Sequence, residues 1–280
     1  MTQAAGTSDV RDGRVSMIRP DVMRQLATLV RLAAGVALFF LLAEFVTRLE
    51  IVPPIYLPRA STVVLRMAEL ARDPAFLVNV AATLYAWALG IALATAISIP
   101  FGILIGTSNL AYKMATPLVE VMRPIPSVAL IPLAILLWGQ GLTTKVLLVA
   151  YATTWPILFN TISGVHDVDP ITVQTARCFG LGRLAILRRI NLPSAAPFIF
   201  TGLRISASLG LIVIVGTELL AGADRGIGSY ILFVSSGGGH MDSVLAGAAI
   251  AGLVGLAINS MFGMVERRVF AWRHLGSVDR

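Results

Sequence analysis

The chain has 280 residues, of which 56% are hydrophobic and only 13% charged, about half the charged share of a soluble domain. Its mean hydropathy of +0.82 excludes a water-soluble fold, and since a helix crosses the hydrocarbon core in about 20 apolar residues, about six spans occupy nearly all of it. The net charge of +7 lies beside apolar runs, where it orients a chain in a bilayer and does not call for nucleic acid, and the single cysteine, Cys178, excludes an intrachain disulfide or a cysteine metal cluster.

Residues 1–25 are polar, with Asp9, Asp12 and Asp21 among Arg11, Arg14, Arg19 and Arg24, and read as a cytoplasmic tail. The first span is expected over 26–47, with Arg31 and Glu44 near its ends, where they can snorkel to the headgroups. From Ile51 to Asn79 three prolines and a mixed segment suggest an external connector with a short amphipathic helix. The second span, 80–106, lacks any charge. A polar turn around Ser108, Asn109 and Lys113 leads to a third, 115–138, which Pro124, Pro126 and Pro132 break, and in which Glu120 and Arg123 stand three residues apart, close enough to pair. The fourth, 145–164, is expected to be interrupted at Pro156 and Asn160, the fifth runs over 196–220 with Arg204 and Glu218 inside it, and the sixth over 243–266. A glycine-rich loop separates the last two, and residues 273–280 form a second cytoplasmic tail.

Between the fourth and fifth spans hydrophobicity stops, and 167–192 carries Asp167, Asp169, Arg177, Arg183, Arg188 and Arg189. The segment reads as two short helices and a turn. Asp169 caps the first, Pro170 takes its first helical position, and Gly180 stops it. A second helix, Leu184 to Ile190, is expected to end before Pro193. Ile171, Thr175, Cys178 and Phe179 share one largely apolar face of the first helix, which wants a partner. Basic residues concentrate on the side of this loop and of both termini, so the positive-inside bias places both ends in the cytoplasm.

Here the residues resemble a specific family. Permeases of ATP-binding-cassette importers carry a cytoplasmic loop of pattern E-A-A, three residues, G, nine residues, I-x-L-P, and this chain has Gln174, Thr175, Ala176, Gly180, Ile190, Leu192 and Pro193 at those spacings, with Arg177 following the triplet. Gln174 replaces the Glu and so lacks a charge that would pair with a basic residue on a partner. Arg123-Pro124-Ile125-Pro126, Trp138-Gly139, Thr201-Gly202-Leu203-Arg204, Glu218 and Gly226-Ile227-Gly228 also resemble the nitrate, sulfonate, taurine and bicarbonate branch, and the likeness runs from about Leu57 to Trp272.

The resemblance implies an all-α permease of a bacterial plasma (inner) membrane, with six transmembrane helices and a helix-turn-helix coupling loop. Its implied partners are two ATPase subunits, a second permease copy and an external substrate-binding protein. ATP is bound by the ATPases, so the chain itself is expected to be no enzyme, with no cofactor, metal or catalytic residue; His166, His240 and His274 share no ligand spacing. Glu120, Arg123, Arg204 and Glu218 are candidates for the pathway or for pairing within the bundle. An ion-coupled secondary transporter is the alternative, which intramembrane Glu218 and Glu120 and the broken helices accommodate.

Overall fold

The computed structural model describes residues 20–270, apart from 50, 54, 123, 124, 223 and 239. The tail 273–280 and most of the tail 1–25 lie outside the described residues, as does Arg123. Among the described residues every regular element is a helix, and the chain divides into two units, Met1–Pro53 and Pro54–Arg280.

The first unit holds α1 (Pro20–Arg48), which begins inside the expected tail, with proline at its first position. Glu44 does not stand alone in it: Arg48 Nε lies 3.0 Å from its Oε1, one turn on.

The second unit opens with α2 (Ala60–Leu70) and α3 (Pro74–Gly106). The latter starts six residues before 80 because Asp73 accepts the Ala75 N–H at 2.9 Å and Pro74 follows it in the first turn. Then come α4 (Asn109–Met122), a 3₁₀ turn (Ser127–Leu130) running into α5 (Ile131–Trp138), and α6 (Leu142–His166). Asn109 and Lys113, expected in a turn, belong to α4, which Ser108 starts by accepting from Tyr112 N at 2.9 Å. The expected break in the third span is a 73° bend between α4 and the Ser127–Trp138 segment.

After α7 (Pro170–Cys178), α8 (Arg183–Ile186) passes through a π turn (Leu187–Asn191) directly into α9 (Leu192–Ala221). The expected stop before Pro193 is therefore absent. The extra residue in the π turn, where Leu192 N–H reaches back to Leu187 O, moves the backbone carbonyls away from the proline ring and lets the helix continue. Within the expected glycine loop lies α10 (Ile227–Ser236), before α11 (Met241–Val269). Among the described residues four helices, α3, α6, the 39-residue run from Arg183 to Ala221, and α11, are long and apolar enough to cross a membrane, and the bent pair, counted as one span, gives a fifth.

α3, α6 and α9 form the centre. Apolar side chains gain nothing by leaving lipid for a protein interior, so close helix contact depends on small residues that let backbones approach. One face of α3 presents Ala86, Gly90, Ala94, Ser98, Gly102 and Gly106, one per turn, all buried. A methyl group at Gly90 would lie 2.6 Å from Val149 Cβ, and one at Gly102 2.7 Å from Thr161 Cβ, both on α6. Polar groups tie the same helices: Ser98 Oγ donates to Thr154 O at 3.2 Å, Ser206 Oγ to Thr153 O at 2.9 Å, and Trp87 Nε1 to Ala207 O at 2.9 Å. Two of these engage the Thr153 and Thr154 carbonyls in the turn before Pro156, and α6 runs unbroken through a proline expected to interrupt it.

Candidate functional site

Two sites stand at opposite ends of the three central helices. The first is the segment joining α6 to α9. Asp169 accepts hydrogen bonds from Ile171 N at 3.0 Å, Thr172 N at 3.3 Å and Thr172 Oγ1 at 2.9 Å. The Ile171 N–H and the Thr172 groups hold its carboxyl below the ordinary carboxylate value. At the other end of α7, Gly180 has φ +78 and donates to Arg177 O at 2.9 Å, while Leu181 N donates to Ala176 O at 3.1 Å. This paired closure, with glycine in the left-handed region, satisfies two of the last carbonyls and ends the helix sharply.

Ala176 is the buried member of α7; Gln174, Thr175 and Arg177 are exposed. Ile171, Phe179 and Leu184 are 72%, 79% and 61% exposed. A short helix fastened at both ends thus holds large apolar side chains outward. Ile190 is half-buried in the π turn, and Leu192 and Pro193 are exposed where α9 begins.

The second site lies where α9 ends and α10 begins. Glu218 is completely buried. Its Oε1 lies 3.0 Å from Lys145 Nζ, and Thr83 Oγ1 reaches both carboxylate oxygens, at 3.0 and 2.9 Å. Three successive N–H groups opening α10 are each taken by a side chain: Gly226 N by Asn79 Oδ1 at 2.9 Å, Ile227 N by Thr83 Oγ1 at 2.9 Å, and Gly228 N by Glu218 Oε2 at 3.1 Å. Lys145 also donates to Arg225 O. Gly226 offers no capping side chain of its own, so α3 and α9 cap α10 from outside, and the Glu218 charge complements the positive end of that helix.

The arrangement accounts for Gly226-Ile227-Gly228. A methyl at Gly226 would meet Glu218 Cδ at 2.1 Å, and one at Gly228 would meet Val215 O at 2.3 Å. Lys145, on the first turn of α6, has a side chain only 7% exposed. Asn79, Thr83 and Lys145 were not legible as site residues, since no local motif surrounds them.

The remaining candidates separate. Arg204 meets Glu266, Nη1 to Oε2 at 2.9 Å, and Asn259 Oδ1 at 3.0 Å from its Nε, so it and Glu218 belong to different clusters. Glu120 is exposed on α4. Among the described residues no group of three His, Cys, Asp or Glu side chains could hold a metal ion, and His166 stacks on Tyr112 with ring centroids 3.8 Å apart.

Residues 98–271 match the family model described as binding-protein-dependent transport system inner membrane component. The chain belongs to that family. The taurine transport system permease protein TauC of Escherichia coli (strain K12) is 31% identical over 81% of this chain and 84% of its own. The nitrate import permease protein NrtB of Leptolyngbya laminosa is 33% identical over 68% of each chain. Among solved structures, a chain of a bacterial alginate ABC transporter in complex with alginate pentasaccharide-bound periplasmic protein superposes with a TM-score of 0.61 at 15% identity, covering 89% of this chain and 96% of that one. A chain of an amino acid ABC transporter gives 0.59 at 19%, covering 73% and 97%. The protein is a multi-pass permease of the ABC-importer class, and the ion-coupled alternative is not favoured.

Proposed function

We propose that this permease forms the membrane path of an ATP-driven importer for small oxyanionic or sulfonate-bearing solutes, delivered by an external binding protein. The solute class follows the relatives named for taurine, nitrate and aliphatic sulfonates. With α1 as a span beside the four long helices and the bent pair, the chain has six crossings and both termini in the cytoplasm. Two copies of the chain pair with two ATPase subunits, on which ATP is hydrolysed.

The observation that carries this is the α7–α8 segment. A helix closed by Asp169 at one end and Gly180 at the other, with Ile171 and Phe179 standing outward, is stiff enough to pass on a push and apolar enough to hold a partner. α8, beyond the Gly180 turn, continues without interruption into α9, so a displacement of α8 reaches Glu218 through one rigid element. Gln174, Thr175, Ala176, Arg177, Gly180, Ile190, Leu192 and Pro193 make up this coupling surface.

The test is to purify the tagged chain in mild detergent from its native cells and identify the subunits that come with it. The expected companion is a stoichiometric ATPase with a phosphate-binding loop, and the reconstituted complex then imports taurine or nitrate only with ATP. Transport by the chain alone under an ion gradient would overturn the proposal.

A further inference from the structure

Residues 170–192 contain four arginines and no acidic residue. All four, Arg177, Arg183, Arg188 and Arg189, are exposed, and none forms an ion pair among the described residues. The nearest acid with a defined role, Asp169, spends its carboxylate on the cap of α7. Gln174 stands neutral on the outer side of the same helix.

Arg177 closes α7 and Arg183 opens α8, and both line one cleft of about 620 Å³, walled by Thr107 and Ser108 from the α3–α4 turn and by Asn191. Two guanidinium groups facing one cleft without a counter-ion repel each other, and a carboxylate between them turns that repulsion into two charge-assisted contacts. Leu184 lines the cleft and is 61% exposed, and Phe179, two residues after Arg177, is 79% exposed; on docking, such side chains exclude water from the charges and strengthen them.

We infer, on the docking role proposed above, that the cleft between Arg177 and Arg183 receives an acidic side chain of the ATPase, so that the charge at this joint lies with cations on the permease and anions on its partner. Anionic lipid headgroups share the chemistry, but α7 exposes Thr172, Gln174, Thr175 and Arg177 beside Ile171, which leaves too little exposed apolar surface to settle the helix into a bilayer interface. A protein groove that buries Ile171 and Phe179 singly suits it better.

The test uses the complex purified with its own ATPase. Retention of the ATPase on the immobilised permease is measured from about 0.05 to 1 M NaCl, a range over which surface charges become screened. It is then repeated for Arg177→Glu/Arg183→Glu, Arg177→Lys/Arg183→Lys and Phe179→Ser. Retention by the unaltered complex falls with salt, charge reversal weakens it at least about tenfold at low salt, equivalent to 1.4 kcal/mol, and the lysine pair keeps most of it. Phe179→Ser weakens retention at every salt concentration. Salt-independent retention by the unaltered complex overturns the inference even if the reversed variant does not fold. Full retention after charge reversal, with loss in Phe179→Ser, leaves docking in place and removes the acidic contact. Loss in neither variant removes the docking role itself. If the reversed variant keeps its ATPase but no longer binds vesicles containing phosphatidylglycerol, the cleft is a lipid site and the inference fails.

Discussion

Lys145 and Glu218 stand 73 positions apart and meet at 3.0 Å, with side chains 7% and 0% exposed. A lone charge in this setting is expensive, while a pair is tolerable if its remaining donors and acceptors are filled. Thr83, Gly228 N and Arg225 O fill them.

Removing one partner is therefore expected to cost more than removing both. Lys145→Met and Glu218→Gln should each lower stability in detergent by about 3–5 kcal/mol, with the double variant well short of the sum. Melting of the four proteins in a double-mutant cycle checks this. Additive losses would mean that the two side chains do not act as a pair.

Gly226→Ala and Gly228→Ala place a methyl group against Glu218 and Val215 O, so both should displace α10 and reduce transport together with thermal stability. Gly216→Ala is the control: nothing lies within 4 Å of its added carbon, and removing a helical glycine should stabilise by about 0.5–1 kcal/mol. Equal behaviour of all three would show that the carboxylate does not press on the turn.

Gly180 also has nothing within 4 Å of an added Cβ, but its φ is +78. Substitution there acts through backbone conformation alone. Gly180→Ala should cost about 1–2 kcal/mol locally, and Gly180→Val more, with uptake falling while membrane insertion stays normal. Uptake at the ordinary rate in Gly180→Val would remove this turn from the coupling path.

The pH dependence of α7 follows from Asp169. Its folded pKa lies below the ordinary 3.8, so the ionised cap stabilises the helix throughout the neutral range. That contribution begins to fade as pH drops below 3.8 and is lost on passing through the lowered folded value. Between pH 6 and 8 the docking of α7 should not vary through this group. Asp169→Asn should keep much of the cap and Asp169→Ala should lose it, read as ATPase retention. Equal retention in both variants would show that the cap is dispensable.

Much of α7 could be read from the chain in order, because Asp169-Pro170 and Gly180 act on backbone groups within a few residues of themselves, and their meaning is local. The reading failed one step later, at Pro193. A proline usually ends a helix, and the π turn that lets this one pass depends on how Leu187–Asn191 sit beneath α9. The same holds at Pro156, where α6 runs on and the neighbouring Thr153 and Thr154 carbonyls take hydrogen bonds from Ser206 and Ser98 on other helices.

Glu218 was visible as a charge within an apolar run, and its partner was not. Arg204 is nearer in sequence, yet it meets Asn259 and Glu266 on α11. The small residues of α3 repeat every fourth position in plain view, but their use as a packing face needs α6 beside them.

Hydropathy, proline and glycine placement and the cap residues were sufficient to establish a helical membrane protein with a stiff polar loop before its fifth apolar run, because water avoidance and backbone hydrogen bonding act over one or two turns. Which charges pair, which carbonyls are rescued and why α10 can start at a bare glycine depended on side chains from α3, α6 and α9 meeting across long stretches of chain. Such meetings are set by the summed packing of whole helices, and no short stretch of residues encodes them.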